Sequence, residues 1–493
     1  MVLSGYIHFI KRVSLPAYLF FCTIGYSYAS DVDWQFNEQE KKAYQHIISL
    51  RLEQGELLLK KTRPASLYLY NLSETLKIIV TDDPTMFDNY EVGVKHRTDI
   101  IDGLKSGSPY KNFYLAEMYL QKAFVNLKFG NDWTAAWDFR QAYKLIRKNS
   151  DRQHASFIPN YKSMGLLHVM IGSVPERYQW IMSLLGMHGT VQQGIAEIQR
   201  VADSDGMFSQ EAKVVHYLLQ AYLLNESDTA VSNFNELFQL NDKNLLFGYL
   251  YMSLLIKNSQ SETALDVFND LMELDDNYLE FNFLNYLAGE IYLQKGDYPL
   301  AETYFHDFIK NSKGENFIKD AYYKLFLTYW ISNEEDKAIR AHKKAQSAGK
   351  TISEADKHAS KSLSQTEYPN KMIMKLRLLT DGGFYQQAEE LLEQPFVLNS
   401  KKERVEFVYR KARLLHKSGK IKEAIGLYQE TIDASGRENW YFAPNACLQL
   451  GYIYRAQNDT PWAKNYFNQV LSYKNHEYKT SLDNKAKAAL EQL

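Results

Sequence analysis

The sequence predicts an all-α protein, a superhelix of stacked helical hairpins, and three observations carry that prediction. The first is the phrase from Gly451 to Phe467, in which Leu450-Gly451, Tyr454, Ala463 and Phe467 stand at the spacing of a helix-turn-helix unit. Gly451 and Ala463 are small where two helices would cross, and Phe467 would fill the space beside them. The second is recurrence, since Gly289, Tyr292, Gly296, Ala301 and Phe305 repeat the pattern upstream. The third is composition: 11 prolines and 24 glycines in 493 residues leave room for long helices, and 45% hydrophobic with 24% charged residues is ordinary for a folded chain. That length is too great for one compact core but natural for an array in which each unit rests on the next.

Weaker copies are anchored by Ala123, Ala135 and Phe139, by Ala230 and Phe234, by Ala264 and Phe268, by Ala338, by Gly383 and Ala388, and by Gly419, Ala424 and Tyr428. Counting back 19 residues from each second-helix alanine gives starts at 116, 211, 245, 282, 319, 369, 405 and 444, and spacings from 211 of 34, 37, 37, 50, 36 and 39. Signature and period resemble the tetratricopeptide repeat, from Glu211 to the C-terminus with one outlying unit near 116–147. The resemblance implies a right-handed superhelix, an α-solenoid, whose concave groove holds a protein or peptide partner and performs no chemistry of its own.

Taken in chain order, the N-terminus reads as a processing signal. Lys11 and Arg12 precede an uncharged, largely apolar run from Val13 to Tyr28, and Ser27-Tyr28-Ala29 offers small residues where a signal peptidase cuts. The run is shorter than the ~20 residues of a spanning helix, which disfavours a membrane anchor. Phe21 ahead of Cys22 disfavours a lipoprotein. Residues 1–29 are therefore expected to be a signal peptide. The Asn-, Lys- and Tyr-rich usage points to the periplasm or cell surface of a Gram-negative bacterium. Residues 30–115 read as an irregular helical cap, with one helical segment from Asn37 to Lys61, a second from Leu67 to Val80 closed by Asp82-Asp83-Pro84, and a loop from Gly103 to Pro109.

Residues 116–205 combine the first repeat-like unit with a glycine-rich hairpin at Ser163–Glu197. It contains Met164-Gly165-Leu166-Leu167, Gly172-Ser173-Val174-Pro175, Trp180-Ile181, and Leu184-Leu185-Gly186-Met187-His188-Gly189. This passage, and the phrase Tyr478 to Leu490, resemble the inclusion-body-clearance family, helical-repeat proteins linked to mitochondrial outer membranes and lipid droplets. Three readings of 163–197 stand together: a hairpin plugged into the solenoid, a peripheral membrane contact, or a site for a buried apolar ligand. Residues 206–493 form the repeat array proper.

The formal charge is -2, and loss of Lys11 and Arg12 leaves 55 basic against 59 acidic residues. Nothing in that balance suggests a nucleic acid, which is met by a basic patch or stripe. Cys447 is the single cysteine after the signal, so no internal disulfide forms, and it reads as a buried small hydrophobe or, less simply, a reactive thiol. No H-E-x-x-H, paired C-x-x-C, phosphate-cradling loop or nucleophile elbow is present. Ser347-Ala348-Gly349-Lys350 matches S-x-x-K without its companion motifs. Histidines are scattered singly. No catalytic residue, metal or cofactor is expected.

The resemblance puts the fifth residue of each first helix on the concave wall, and Tyr249, Tyr286, Tyr323 and Tyr409 fall there. By the same rule Trp330, Arg377, Arg413, His416 and Arg455 join them. Tyrosine and arginine are residue types that dominate binding hot spots. The competing reading is that the tyrosines pack between successive first helices. A competing function is glycan capture at the envelope by groove aromatics.

Overall fold

The computed structural model describes residues 34–150, 154–174, 182–436 and 438–493; the signal segment, and Pro175, Trp180 and Ile181 of the hairpin, lie outside them. Within the described residues every regular element is a helix. The cap holds α1 (Glu38–Ile48), α2 (Leu52–Leu57), α3 (Pro64–Thr81) and α4 (Phe87–Gly103). Asn37 starts α1 with a capping box: its side chain accepts from the Glu40 N–H, and Glu40 accepts from the Asn37 N–H. The expected single helix from Asn37 to Lys61 is broken in the middle. Leu50 takes a left-handed φ of 64°, and its carbonyl accepts from the Leu279 N–H at 2.8 Å.

Hairpins follow: α5 (Pro109–Lys128) with α6 (Asp132–Asn149), α7 (Asn160–Gly172) with α8 (Val191–Ala202), and α9 (Ser209–Leu219), ending in a π turn at Gln220–Leu224, with α10 (Ser227–Gln239). The regular array continues as α11 (Leu245–Lys257) with α12 (Ser261–Met272), α13 (Phe283–Lys295) with α14 (Tyr298–Asn311), and α15 (Ile318–Ile331) with α16 (Glu335–Ser347). An unpaired α17 (Glu354–Leu363) intervenes. Then come α18 (Lys371–Gly382) with α19 (Tyr385–Leu392), α20 (Lys401–Lys417) with α21 (Ile421–Ser435), α22 (Phe442–Ala456) with α23 (Thr460–Ser472), and a closing α24 (Lys479–Glu491). The fold is an α-solenoid of tetratricopeptide type.

The signature residues do what their size dictates. Ala135, Ala230, Ala264, Ala301, Ala338, Ala388, Ala424 and Ala463 all have no exposed surface. A Cβ on Gly451 would stand 2.4 Å from the Phe467 ring. The long spacing between starts 319 and 369 is accounted for by α17, held in place because Asp356 accepts from the Phe317 and Asp320 N–H groups at 2.8 and 3.0 Å and so caps α15.

The glycine-rich hairpin is part of the solenoid where it is described. In α7 every residue from Lys162 to Ile171 is buried. A Cβ on Gly165 would meet the Gly194 carbonyl oxygen at 2.6 Å, and one on Gly194 would meet that of Gly165 at 2.3 Å. The two backbones cross in contact, and only glycine permits it. Leu184 stays outside, 77% exposed. Among the described residues no helix is long and apolar enough to cross a membrane.

One expectation needs correction: units do not contact their neighbours alone. At one end the cap reaches the middle of the array, where Asn316 Nδ2 donates to Asp82 at 2.9 Å and Arg51 pairs with Asp275 at 3.5 Å. At the other, α24 packs on the π turn at Gln220–Leu224. In between, α18 packs against α13, skipping a unit. The superhelix is wound tightly enough that both ends return to it.

Candidate binding chamber

Two adjoining, half-open cavities lie on the inner side, of about 460 and 1020 Å³. The larger is bounded by α18, α20 and α22 and roofed by α24. The roof is fastened by Lys361 to Glu477 at 2.9 Å, by Tyr478 stacked on His358 with ring centroids 6.3 Å apart, and by Asn484, whose Nδ2 donates to the Ser173 carbonyl at 3.3 Å. The two passages that carry the inclusion-body-clearance resemblance thus touch each other.

Tyr249, Tyr286 and Tyr323 line the smaller cavity, and Tyr323 and Tyr409 the larger. All four are nonetheless 7% exposed or less. Their rings belong to the packed layer: Tyr286 stacks on Phe283 at 4.9 Å and Tyr249 lies 4.7 Å from Phe281. Tyr409 lies 5.7 Å from Phe442. Their register therefore serves packing between first helices and shapes the cavity walls at once. Burial raises the Tyr409 phenol to about 12.

Arg377, Arg413 and His416 face the larger cavity. Arg377 reaches Asp381 at 3.5 Å, and Arg413 donates to Gln449 at 3.1 Å. His416 Nδ1 lies 3.1 Å from the Tyr428 hydroxyl, and burial, with Arg413 and Lys417 beside it, draws its pKa down to about 4, so it is neutral near pH 7. Trp330 and Arg455 line neither cavity. Trp330 Nε1 donates to the Pro369 carbonyl at 2.8 Å beneath Lys371, which sits 4.1 Å above its ring. Arg455 bonds Gln492 and covers Tyr452 at 5.3 Å. Both belong to contacts between elements.

The two cavities share Lys257, His358, Arg377 and Asp381 in their walls. In the smaller, Lys324 meets Glu290 at 2.7 Å and Asp320 at 3.8 Å, and Tyr286 donates to Asp320 at 2.5 Å. In the larger, Lys257 and Lys417 make no ion pair or hydrogen bond among the described residues; Asp228, bonded by Asn258 at 2.8 Å, and Asp381, paired with Arg377, favour the Lys417 charge from a distance. Burial, then the charges of Lys485, Lys417 and Arg413, draw the Lys257 ammonium down to about 7. His358 falls to about 3 for the same kinds of reason.

Lys257, Arg410, Lys417, Tyr441 and Tyr478 were not among the residues expected in the groove. A signal for two of them was present: Lys257 and Lys417 occupy the same offset in the units starting at 245 and 405. A near-neutral total charge concealed them, because it carries no information on where along the wall the cations gather. Cys447 is fully buried, its thiol 3.4 Å from Gln469 Oε1 and pushed up to about 12 by burial. The described residues contain no group of three or more His, Cys, Asp or Glu placed to hold a metal.

No protein-family model matches this sequence, and no curated protein matches it. Among solved structures the chain is similar to a monomeric mutant of IFIT1 with Gppp-AAAA, at 11% identity over 93% of this chain and 99% of that one, TM-score 0.34. It is similar to the human IFIT1 dimer with PPP-AAAA, at 12% identity over 89% and 96%, TM-score 0.34. It is also similar to the APC/C hetero-tetramer Cut9-Hcn1, at 12% identity over 92% and 96%, TM-score 0.31. None of these supports the inclusion-body-clearance resemblance, and at such identities and scores none carries an argument about what this chain binds.

Proposed function

We propose that the protein is an exported, non-catalytic scaffold that holds a protein or peptide partner in the chamber beneath α24. The observation that carries this reading is the half-open cavity of about 1020 Å³ whose lining includes Arg377, Arg410 and Arg413 with Tyr323, Tyr409 and Tyr441. Forked guanidinium groups and amphipathic phenols, held by a packed layer, give directional contacts at low entropic cost. Glycan capture needs an aromatic face open to a sugar ring. The tyrosines in register are 7% exposed or less, which favours the peptide reading over the sugar one.

A photo-crosslinking residue in place of the exposed, chamber-lining Gln365 should give a discrete adduct in the native host, and one in place of the exposed Trp137, outside the chamber, should not. Equal adducts from both positions, or none from Gln365, would remove the reading. Export has its own test: the mature protein is expected to begin near Ser30, and retention of residues 13–28 would overturn it.

A further inference from the structure

We infer that the chamber carries a discrete site for a compact phosphate-class anion, formed where Lys257, Lys417, Arg413 and Lys485 converge from α11, α20 and α24. This rests on the reading of the chamber as the binding surface and adds the chemistry of what it recognises.

The four residues come from three helices far apart in sequence, yet they line one cavity. Like charges gathered on one half-buried wall repel, and each is partly withdrawn from bulk water. Neither Lys257 nor Lys417 forms an ion pair among the described residues; Asp228 and Asp381 on the same wall offset part of the Lys417 charge and are themselves engaged by Asn258 and Arg377. Arg413 meets a neutral amide at one of its nitrogens. Their mutual repulsion is felt in the lowered ammonium pKa of both lysines, for which burial is the larger cause. A single carboxylate would answer one of these cations. A phosphate ester or diphosphate brings two or more charges and several acceptor oxygens into a small volume, matching two ammonium groups and a guanidinium fork at once. The neutral His358 and His416 on the same wall add ring nitrogens without adding repulsion.

The test is calorimetric titration of the full chain with inorganic pyrophosphate at constant ionic strength, on the wild type, on Lys257→Met, on Lys417→Met and on the double variant. The wild type is expected to bind, and the double variant to lose about tenfold or more in affinity, a factor equivalent to ~1.4 kcal/mol, while its melting temperature is unchanged or higher. Absence of binding to the wild type, or equal affinity in the folded double variant, overturns the inference. Citrate binding as tightly as pyrophosphate overturns the phosphate class. Displacement of pyrophosphate by a phosphoserine peptide, but not by its unphosphorylated form, assigns the group to a partner segment; pyrophosphate binding without that displacement assigns it to a small molecule, and both leave the site standing. The scaffold reading fails separately: crosslinking without pyrophosphate binding removes only the anion site, and pyrophosphate binding without crosslinking removes only the peptide partner.

Discussion

Lys162 and Lys257 are both taken largely out of water, and the protein treats them in opposite ways. Lys162, in α7, has no exposed surface and is clasped by Glu117 at 2.9 Å and Glu211 at 3.0 Å. Ser163 and Tyr44 donate to those same two carboxylates, and the Phe113 and Phe208 rings flank the ammonium. Every charge in that knot is answered. Lys257, in α11, faces the chamber with Tyr222 at 5.5 Å as its aromatic neighbour and three further cations around it. A buried charge is costly unless it is paired, so the first arrangement is the structural solution, a lysine that locks α5, α7 and α9 together. The second gives no structural return within the chain. The contrast separates a buried charge that serves the fold from one that awaits a ligand.

The largest effect that tests this contrast belongs to Lys162→Met, which strands two carboxylates in the interior and should cost about 3–5 kcal/mol in urea unfolding. A loss under about 1 kcal/mol would mean the knot is not holding the layer, and the comparison would lose its first half. Tyr286→Phe comes next. It removes the hydroxyl donated to buried Asp320 and should cost about 1–3 kcal/mol, showing that the Asp320 charge is answered from within. Lys257→Met should leave stability unchanged or raise it. A marked loss there would make Lys257 structural after all.

The remaining effect is a slope. Since the folded protein lowers the Lys257 pKa from 10.5 to about 7, the unfolded chain holds that proton more tightly, and unfolding takes up protons between those values. The burden is therefore fully present below about pH 7 and is relieved as pH rises toward 10.5, so this residue makes stability climb across that window. Urea midpoints at pH 7 and pH 10 should differ less in Lys257→Met than in the wild type. Equal differences would place the lysine in ordinary solvent.

The repeat units were legible in the sequence because their determinants are local: a glycine or alanine at a helix crossing and an aromatic beside it leave a fixed spacing, and each second-helix alanine proved fully buried. The intervening α17 was hidden inside one long spacing because Asp356 makes its decisive contacts with the backbone at Phe317 and Asp320, far upstream. The roofed chamber was not legible, since it depends on long-range returns such as Asn484 to Ser173. Three of the nine expected groove residues, Arg377, Arg413 and His416, face the larger cavity and stand outside the fully buried layer. The tyrosines carry both roles, because a phenol ring can fill a helix interface while its edge forms a wall. Trp330 and Arg455 were misplaced by a positional rule that assumes an open groove, whereas here neighbouring elements cover them.

The bond from Asn484 to Ser173 spans 311 positions of sequence, and that distance has a consequence for the order of assembly. Most contacts in a solenoid are short loops that can close as the chain emerges from the ribosome, N-terminal part first. The roof cannot. Until α24 has been synthesised and has travelled back to the π turn, the basic wall stands open to water, which hydrates its lysines and leaves their repulsion screened. Burial of those charges is thus deferred to the last step of folding, when the rest of the molecule is already in place to hold them.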